Sequence, residues 1–299
     1  MEIHGQPTDR NLDANQPWSV RMANTVRTRY PVLTDLELSA PGFRTTELLP
    51  SILPDLFKGS QVVLAGRYTK GGRGEVILSG RDGAVTREYH YILAAAMKGQ
   101  GLQSDFPARV WATRRIGELV DQIRLNKSAD AELVNEIVRL STRFGILTEY
   151  TSFLAAETAD HTRYVANARA AGQILDRLAE AEVGAVGVAQ SKSQASRRGA
   201  SRAPSAPTVW EADADGRDVN AQTVGGVRQV GNRTFYQRRT GWVDSNVAET
   251  ARVDETVRRW SPRFFELLKT TTSEENARLA QAGALVLEIQ GRVLRIVDG

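Results

Sequence analysis

Apolar and polar positions first alternate with a period of two along this chain, then recur every three to four residues, and later return to two. From Tyr30 to Ile92 the pattern is that of strands. In PVLTDLELS, Val32, Thr34, Leu36 and Leu38 fall on one face, and QVVLAGRYT and GEVILSG are short β-branched runs bounded by glycine. GRDG carries an Asp-Gly turn signal ahead of VTREYHYIL, and TKGGRGEV reads as a hairpin turn between two strands. From Phe106 the period lengthens. Val110, Trp111, Ile116, Leu119, Val120 and Ile123 mark one amphipathic helix, with Pro107 suited to its first turn. Ser128 or Asp130 can cap a second helix bearing Leu133, Ile137, Val138 and Leu140, which Gly145 stops. ILTEYTSFL then reads as β-like, and a third helix follows from Asp160, its expected cap. Near Val227 the period of two returns, as two turns separating three strands in VRQVGNRTFYQRRTGWVDS. SPRFFELLKTT and SEENARLAQAG read as short helices, and ALVLEIQGRVLRIVDG as a hairpin around Gln290-Gly291.

These elements predict an α+β protein: an antiparallel β-sandwich-like region with a packed helical hairpin, a flexible linker and a smaller C-terminal α+β unit. The expected boundaries are a loosely ordered N-terminus over 1–29, the β-sandwich-like region with its helices over 30–183, a flexible linker over 184–226, and a small β-rich unit with short helices over 227–299. The linker is assigned because GAVGVAQSKSQASRRGASRAPSAP is small and polar. Trp111, Ile116, Leu119, Ile137, Phe144 and Tyr150 are expected as packing anchors, and Phe235, Tyr236 and Trp242 as a candidate aromatic interaction surface.

Composition changes the picture mainly by exclusion. The 299 residues hold no cysteine, so disulfides, thiolate metal sites and a cysteine nucleophile are absent. The 39 basic and 35 acidic residues nearly cancel, unlike the clustered excess of a dedicated nucleic-acid binder. No window approaches the roughly 20 apolar residues of a membrane-spanning helix. The polar N-terminus lacks the pattern of a secretory signal, and the compartment stays unassigned.

Local chemistry is sparse. TKGGRGEV lacks the Gly-Lys-Ser/Thr of a phosphate-binding loop, and no Gly-x-Ser-x-Gly or His-x-x-x-His is present. EADADGRD at 211–218 has spaced acids, but Gln222 stands where a calcium loop would close with Glu. Accordingly no catalytic, metal or cofactor-binding residue is assigned. A dispersed enzyme site would have to use His90 with Asp82 or Glu88. Binding of anionic polymers would have to use the basic stretch 191–202 with Arg114-Arg115 and Arg238-Arg239.

PVLTDLELS (31–39), LLPSILPDLFKGSQVVLAGRYT (48–69), ARVWATRRIGELVDQIR (108–124) and above all ELVNEIVRLSTRFGILTEYTSFL (132–154) carry a family resemblance. The chain resembles the part that follows the von Willebrand factor A domain in bacterial proteins built from a VIT and a von Willebrand A domain, relatives of inter-alpha-trypsin inhibitor heavy chains. VRQVGNRTFYQRRTGWVDS with SPRFFELL resembles the terminal region of those members. The resemblance implies a non-enzymatic structural and interaction module, a protein or glycan partner, no specific nucleic acid, and an envelope or exported location. It also implies a von Willebrand A domain upstream of this stretch. The Asp-x-Ser-x-Ser metal loop of that domain is not in this sequence, and neither is the Asp-Pro-His at which animal heavy chains join glycosaminoglycan. No adhesion-site residue is therefore carried over. Glu149 stands where the family usually has proline.

Overall fold

A computed structural model of the chain describes residues 2–6, 16–23, 31–41, 43–57, 61–68, 72–95, 106–126, 128–148, 150–156, 159–161, 163–180, 185–200, 208–212, 219–223, 225–231, 233–248 and 251–299. It is an α+β structure in which contacts define two units, Met1–Arg115 with Arg198–Ala203, and Ile116–Arg197 with Pro204–Gly299.

The first unit holds β1 (Glu2–Gln6), β2 (Gln16–Ala23), β3 (Pro31–Ser39), β4 (Thr45–Leu49), β5 (Leu56–Phe57), β6 (Gln61–Tyr68), β7 (Gly72–Asp82) and β8 (Val85–Ala95). They form two four-stranded sheets, ordered β1-β2-β6-β4 and β5-β3-β7-β8, with every neighbouring pair antiparallel. Leu33, Leu36, Leu56 and Leu78 from one sheet and Val62, Leu64 and Tyr68 from the other close a single core, the sandwich that the alternation predicts. Two expectations change here. The N-terminal stretch contributes β1 and β2 rather than loose coil. β6 and β7 lie in different sheets and do not pair as the hairpin expected around TKGGRGEV.

The unit boundary falls within α1 (Phe106–Asn126). The second unit continues with α2 (Ala131–Phe144), a 3-10 turn (Ser152–Ala155), α3 (Tyr164–Glu180) and α4 (Ala185–Arg198). Asp130 caps α2 by accepting from the amides of Glu132 and Leu133. Gly145 ends it with a left-handed φ of 61°. α2 packs against α3. α3 starts at Tyr164, after Asp160.

A pair of strands, β9 (Thr208–Ala212) and β10 (Val219–Thr223), precedes the main sheet. That sheet contains β11 (Val227–Val230), β12 (Arg233–Arg238), β13 (Gly241–Asp244), β14 (Glu255–Arg258), β15 (Leu285–Ile289) and β16 (Arg292–Val297) in the order β11-β12-β13-β15-β16-β14. α5 (Pro262–Thr270) and α6 (Ser273–Leu279) interrupt it in sequence. Ser261 caps α5 with Pro262 in its first turn, and Thr272 with Glu275 forms a capping box on α6. Phe264, Leu267 and Leu279 from these helices pack on Phe235, Val257, Leu285, Leu287, Ile289, Leu294 and Ile296.

Residues 184–226, expected as linker, carry α4, β9 and β10. Ser193, Gln194 and Arg197 are the buried side chains in the C-terminal half of α4. The inward positions of that half are therefore polar, which hydrophobic periodicity does not register. The 211–218 acid run lies mostly outside the described residues.

Gly145 offers the clearest backbone test in this unit. A Cβ there would approach Thr234 Cγ2 to 2.9 Å while the residue holds φ of 61°. Gly145→Ala is expected to destabilise the protein by about 2 kcal/mol, combining left-handed strain with crowding. Equal denaturant midpoints for the two proteins would refute this account.

Candidate functional site

The main polar cluster in the second unit forms where 141–161 meets the sheet surface presented by β11 and β12. It begins with the hydroxyls of STRFGILTEYTS. Thr151 Oγ1 accepts from the Thr148 amide (3.0 Å) and donates to Ser141 Oγ (3.2 Å). Thr148 Oγ1 accepts from the Tyr150 amide (3.1 Å). These short side chains bind the local backbone in place of a ladder partner. This is why the expected β-like exit folds instead into an irregular turn and the 3-10 turn. Leu147 and Leu154 are buried against Tyr236.

β12 presents Phe235 and Tyr236 to opposite faces, as pleating requires. Phe235 enters the helix-covered core. Tyr236 is 0% exposed, and its hydroxyl donates to the Thr142 carbonyl (2.9 Å), with Ser141 O at 3.3 Å, in the last turn of α2. Burial pushes its phenol far above the ordinary range, so it remains a donor at any physiological pH. His161 stacks on this ring at 5.0 Å, with 14° between planes. Arg238 donates to the carbonyls of Ala156 (2.9 Å) and Leu154 (3.2 Å), and its Nη2 lies 3.4 Å from His161 Nδ1. That contact makes Nδ1 the acceptor and leaves the neutral ring's proton on Nε2. Nε2 is buried, and the Val247 and Asp244 carbonyls lie close enough to the ring to oppose part of the shift in its pKa.

Two further buried groups adjoin the sheet. Asp244 is 0% exposed, lies 3.4 Å from Arg233 and accepts from the Asn246 amide (3.0 Å). Burial raises its carboxyl pKa, opposed by Arg233. In the first unit Arg114 is buried and donates to the carbonyls of Leu49 (3.1 Å), Val63 and Ala200 (2.9 Å). Burial lowers its pKa to about 10, so it remains charged at neutral pH.

The sequence-derived candidates thus separate. Trp111, Ile116, Leu119, Ile137 and Tyr150 are buried. Phe144 is half-buried beneath the Arg143 guanidinium. Phe235 and Tyr236 cannot form an exposed platform, because opposite faces of β12 bury each of them fully. Trp242 is half-buried with Arg228 4.1 Å above its ring. Arg114 and Arg238 serve backbone carbonyls, which removes one arginine from each pair expected to meet an anionic polymer. His90 lies exposed on β8, with Nδ1 2.9 Å from Glu75 and Nε2 3.6 Å from Glu88, while Asp82 pairs with Arg87. Hydrogen bonding to Glu75 raises the His90 pKa. Among the described residues no group of three His, Asp or Glu is placed to hold a metal ion. No described helix is long and apolar enough to cross a membrane. Sequence reasoning missed His161, Arg238 and Asp244 as a cluster. Their only signal is polar identity, and β12 and β13 bring them together.

His161 yields a pH prediction. Burial, then the charge of Arg238, lower its pKa from 6.5 to about 4, against the opposing Val247 and Asp244 carbonyls and Asp160. The unfolded chain therefore binds the extra proton first as pH falls. The stabilisation is complete above pH 6.5, is lost progressively towards pH 4, and amounts to about 3 kcal/mol at most. Asp244, with its raised pKa, works in the opposite direction. The melting temperature of wild type is expected to fall more steeply than that of His161→Gln between pH 6.5 and 4. Parallel profiles would rule out the buried imidazole as the cause.

No family model matches the chain. It is similar to inter-alpha-trypsin inhibitor heavy chain H2 of Sus scrofa, 23% identical over 150 residues, covering 46% of this chain and 16% of that protein. It is also similar to inter-alpha-trypsin inhibitor heavy chain H3 of Rattus norvegicus, 27% identical over 154 residues, covering 48% of this chain and 17% of that one. The aligned stretch is thus under a fifth of each relative's length. The similarity is distant, and it connects about half of the chain with inhibitor heavy chains.

Proposed function

We propose that this chain is a non-enzymatic structural and interaction module that supports an adjoining von Willebrand A-type adhesion domain. The observation that carries the reading is the similarity to two inter-alpha-trypsin inhibitor heavy chains over about half of the chain. The geometry supports it in two ways. The buried polar groups of 141–161 and β12 bond mainly to backbone carbonyls and to one another, an arrangement that fixes packing. The histidine flanked by two carboxylates, His90, stands in the open on a sheet surface rather than in a water-excluding cleft. The module's work is then positional: rigid sandwich and sheet surfaces present partners and orient the neighbouring domain.

The test is a binding experiment with the whole chain and an A domain from the same genome, expressed separately and mixed. A one-to-one complex by calorimetry supports the reading. Failure to bind any A domain encoded beside or within the same gene would defeat it. So would sustained turnover in a hydrolase substrate screen that His90→Ala abolishes.

A further inference from the structure

The polar junction on β12 holds a permanent cation against a titratable ring. His161 is 2% exposed, and Arg238 Nη2 lies 3.4 Å from its Nδ1. A guanidinium can only donate, so this contact exists while Nδ1 keeps its lone pair. Protonation would set a second N–H and a positive charge against the guanidinium, away from water. Tyr236 backs both groups. The imidazole stacks on its ring at 5.0 Å, and the Arg238 guanidinium carbon lies 5.0 Å from the same ring centre.

Arg238 also fastens the turn that precedes His161, by donating to the Leu154 carbonyl (3.2 Å) and the Ala156 carbonyl (2.9 Å). The neighbouring Asp160 and the Val247 and Asp244 carbonyls favour a charged ring, but burial and Arg238 outweigh them. Tyr236 stays neutral, and Tyr164 from the first turn of α3 reinforces that. The Asp244 carboxyl lies on the other side of the sheet, because Asp244 pairs directly with Phe235.

This junction rests on little apolar burial. Its cluster has three buried residues, Leu147, Leu154 and Tyr236, against ten in the helix-covered core on the opposite face of the sheet. A segment with few buried apolar contacts opens at lower cost than the whole unit.

We propose that His161 and Arg238 form an acid-released latch: protonation of the imidazole drives the guanidinium from Nδ1 and from the Leu154 and Ala156 carbonyls, and the turn 150–156 lifts from β12 with His161 while the helix-covered core stays folded. The sign follows from burial. The ring binds a proton more readily once the segment is open, so falling pH favours the open form. With a pKa of 6.5 when open and about 4 when closed, the ratio of open to closed rises about 20-fold between pH 7 and pH 5. Opening uncovers Leu154 and the Tyr236 ring, both 0% exposed in the closed form. The inference does not depend on the family reading.

Amide hydrogen exchange on the full chain at pH 7 and pH 5, corrected for intrinsic rates, tests it. Protection over 150–156 is expected to fall about 20-fold, while 262–279 and 285–297 keep theirs. His161→Gln retains an acceptor without a titratable ring and should abolish the fall. Arg238→Gln removes the cation, so the His161 NMR titration should move up towards pH 6.5 and the fall should shrink; this readout stands even if His161→Gln folds poorly. Protection over 150–156 that is indifferent to pH, a loss shared equally by 262–279 and 285–297, a fall that persists in His161→Gln, or a His161 titration unmoved by Arg238→Gln would overturn the proposal.

Discussion

Tyr236→Ala is expected to destabilise the protein by about 4–5 kcal/mol, among the largest effects of any single truncation in the second unit. Removing a fully buried aromatic ring costs about 3–5 kcal/mol by itself. Loss of the hydroxyl adds about 1 kcal/mol, because the Thr142 carbonyl at the end of α2 loses its donor. The ring also supports one face of His161, and it fills the space between Leu147 and Leu154. A fall in melting temperature of about 10–15 °C follows for a unit of this size. Tyr236→Phe keeps the stack and the packing but loses the donor, so it should cost only about 1–2 kcal/mol. Thermal melts of the two variants separate the contributions. Equal losses would mean that the hydroxyl, rather than the ring, holds this junction.

Trp111→Ala is expected to cost about 3–5 kcal/mol in the first unit. Trp111 is 3% exposed, its indole donates to the Glu47 carbonyl of β4 at 3.1 Å, and Arg67 lies 5.0 Å above the ring. Glu47 in turn pairs with Arg67 at 3.3 Å. The indole therefore serves as a strut between the first turns of α1 and β4 as well as an apolar filler. Trp111→Phe retains much of the packing and loses the hydrogen bond, with an expected cost of about 1–2 kcal/mol. Hydrogen exchange should show the extra opening of Trp111→Ala around β4 and β6. An unchanged melting temperature would contradict the assignment of Trp111 as an anchor.

The elements most legible in the sequence are those whose partner is local. Asp130 and Gly145 bracket α2 because a side-chain oxygen and a left-handed glycine satisfy backbone groups within one turn. Ser261 with Pro262 does the same for α5, and Gln290-Gly291 closes β15 on β16. The alternation in 31–39 and 285–297 identified strands because one face of each is buried. Where the inward surface is polar the pattern failed. α4 buries Ser193, Gln194 and Arg197, and 146–156 folds through threonine hydroxyls, neither of which hydrophobic periodicity registers.

The candidate cluster was less legible still. Tyr236 and Trp242 look alike in sequence, as aromatic residues on adjacent strands. One is sealed beneath 141–161 and the other stays half-buried under Arg228. Arg114 and Arg238 look like surface charge, yet both reach backbone carbonyls far away along the chain. Nothing near them in sequence announces those acceptors.

Local periodicity, caps and glycine turns thus carried the class of fold, the place of α2, α5 and the last hairpin, and the absence of thiol chemistry. Sheet order, the placing of β6 and β7 in different sheets and the burial of Arg114 and His161 came only with the assembled chain. The physical reason is range. Capping and pleating act over a few residues, whereas desolvation and strand pairing depend on which distant segment closes over a group.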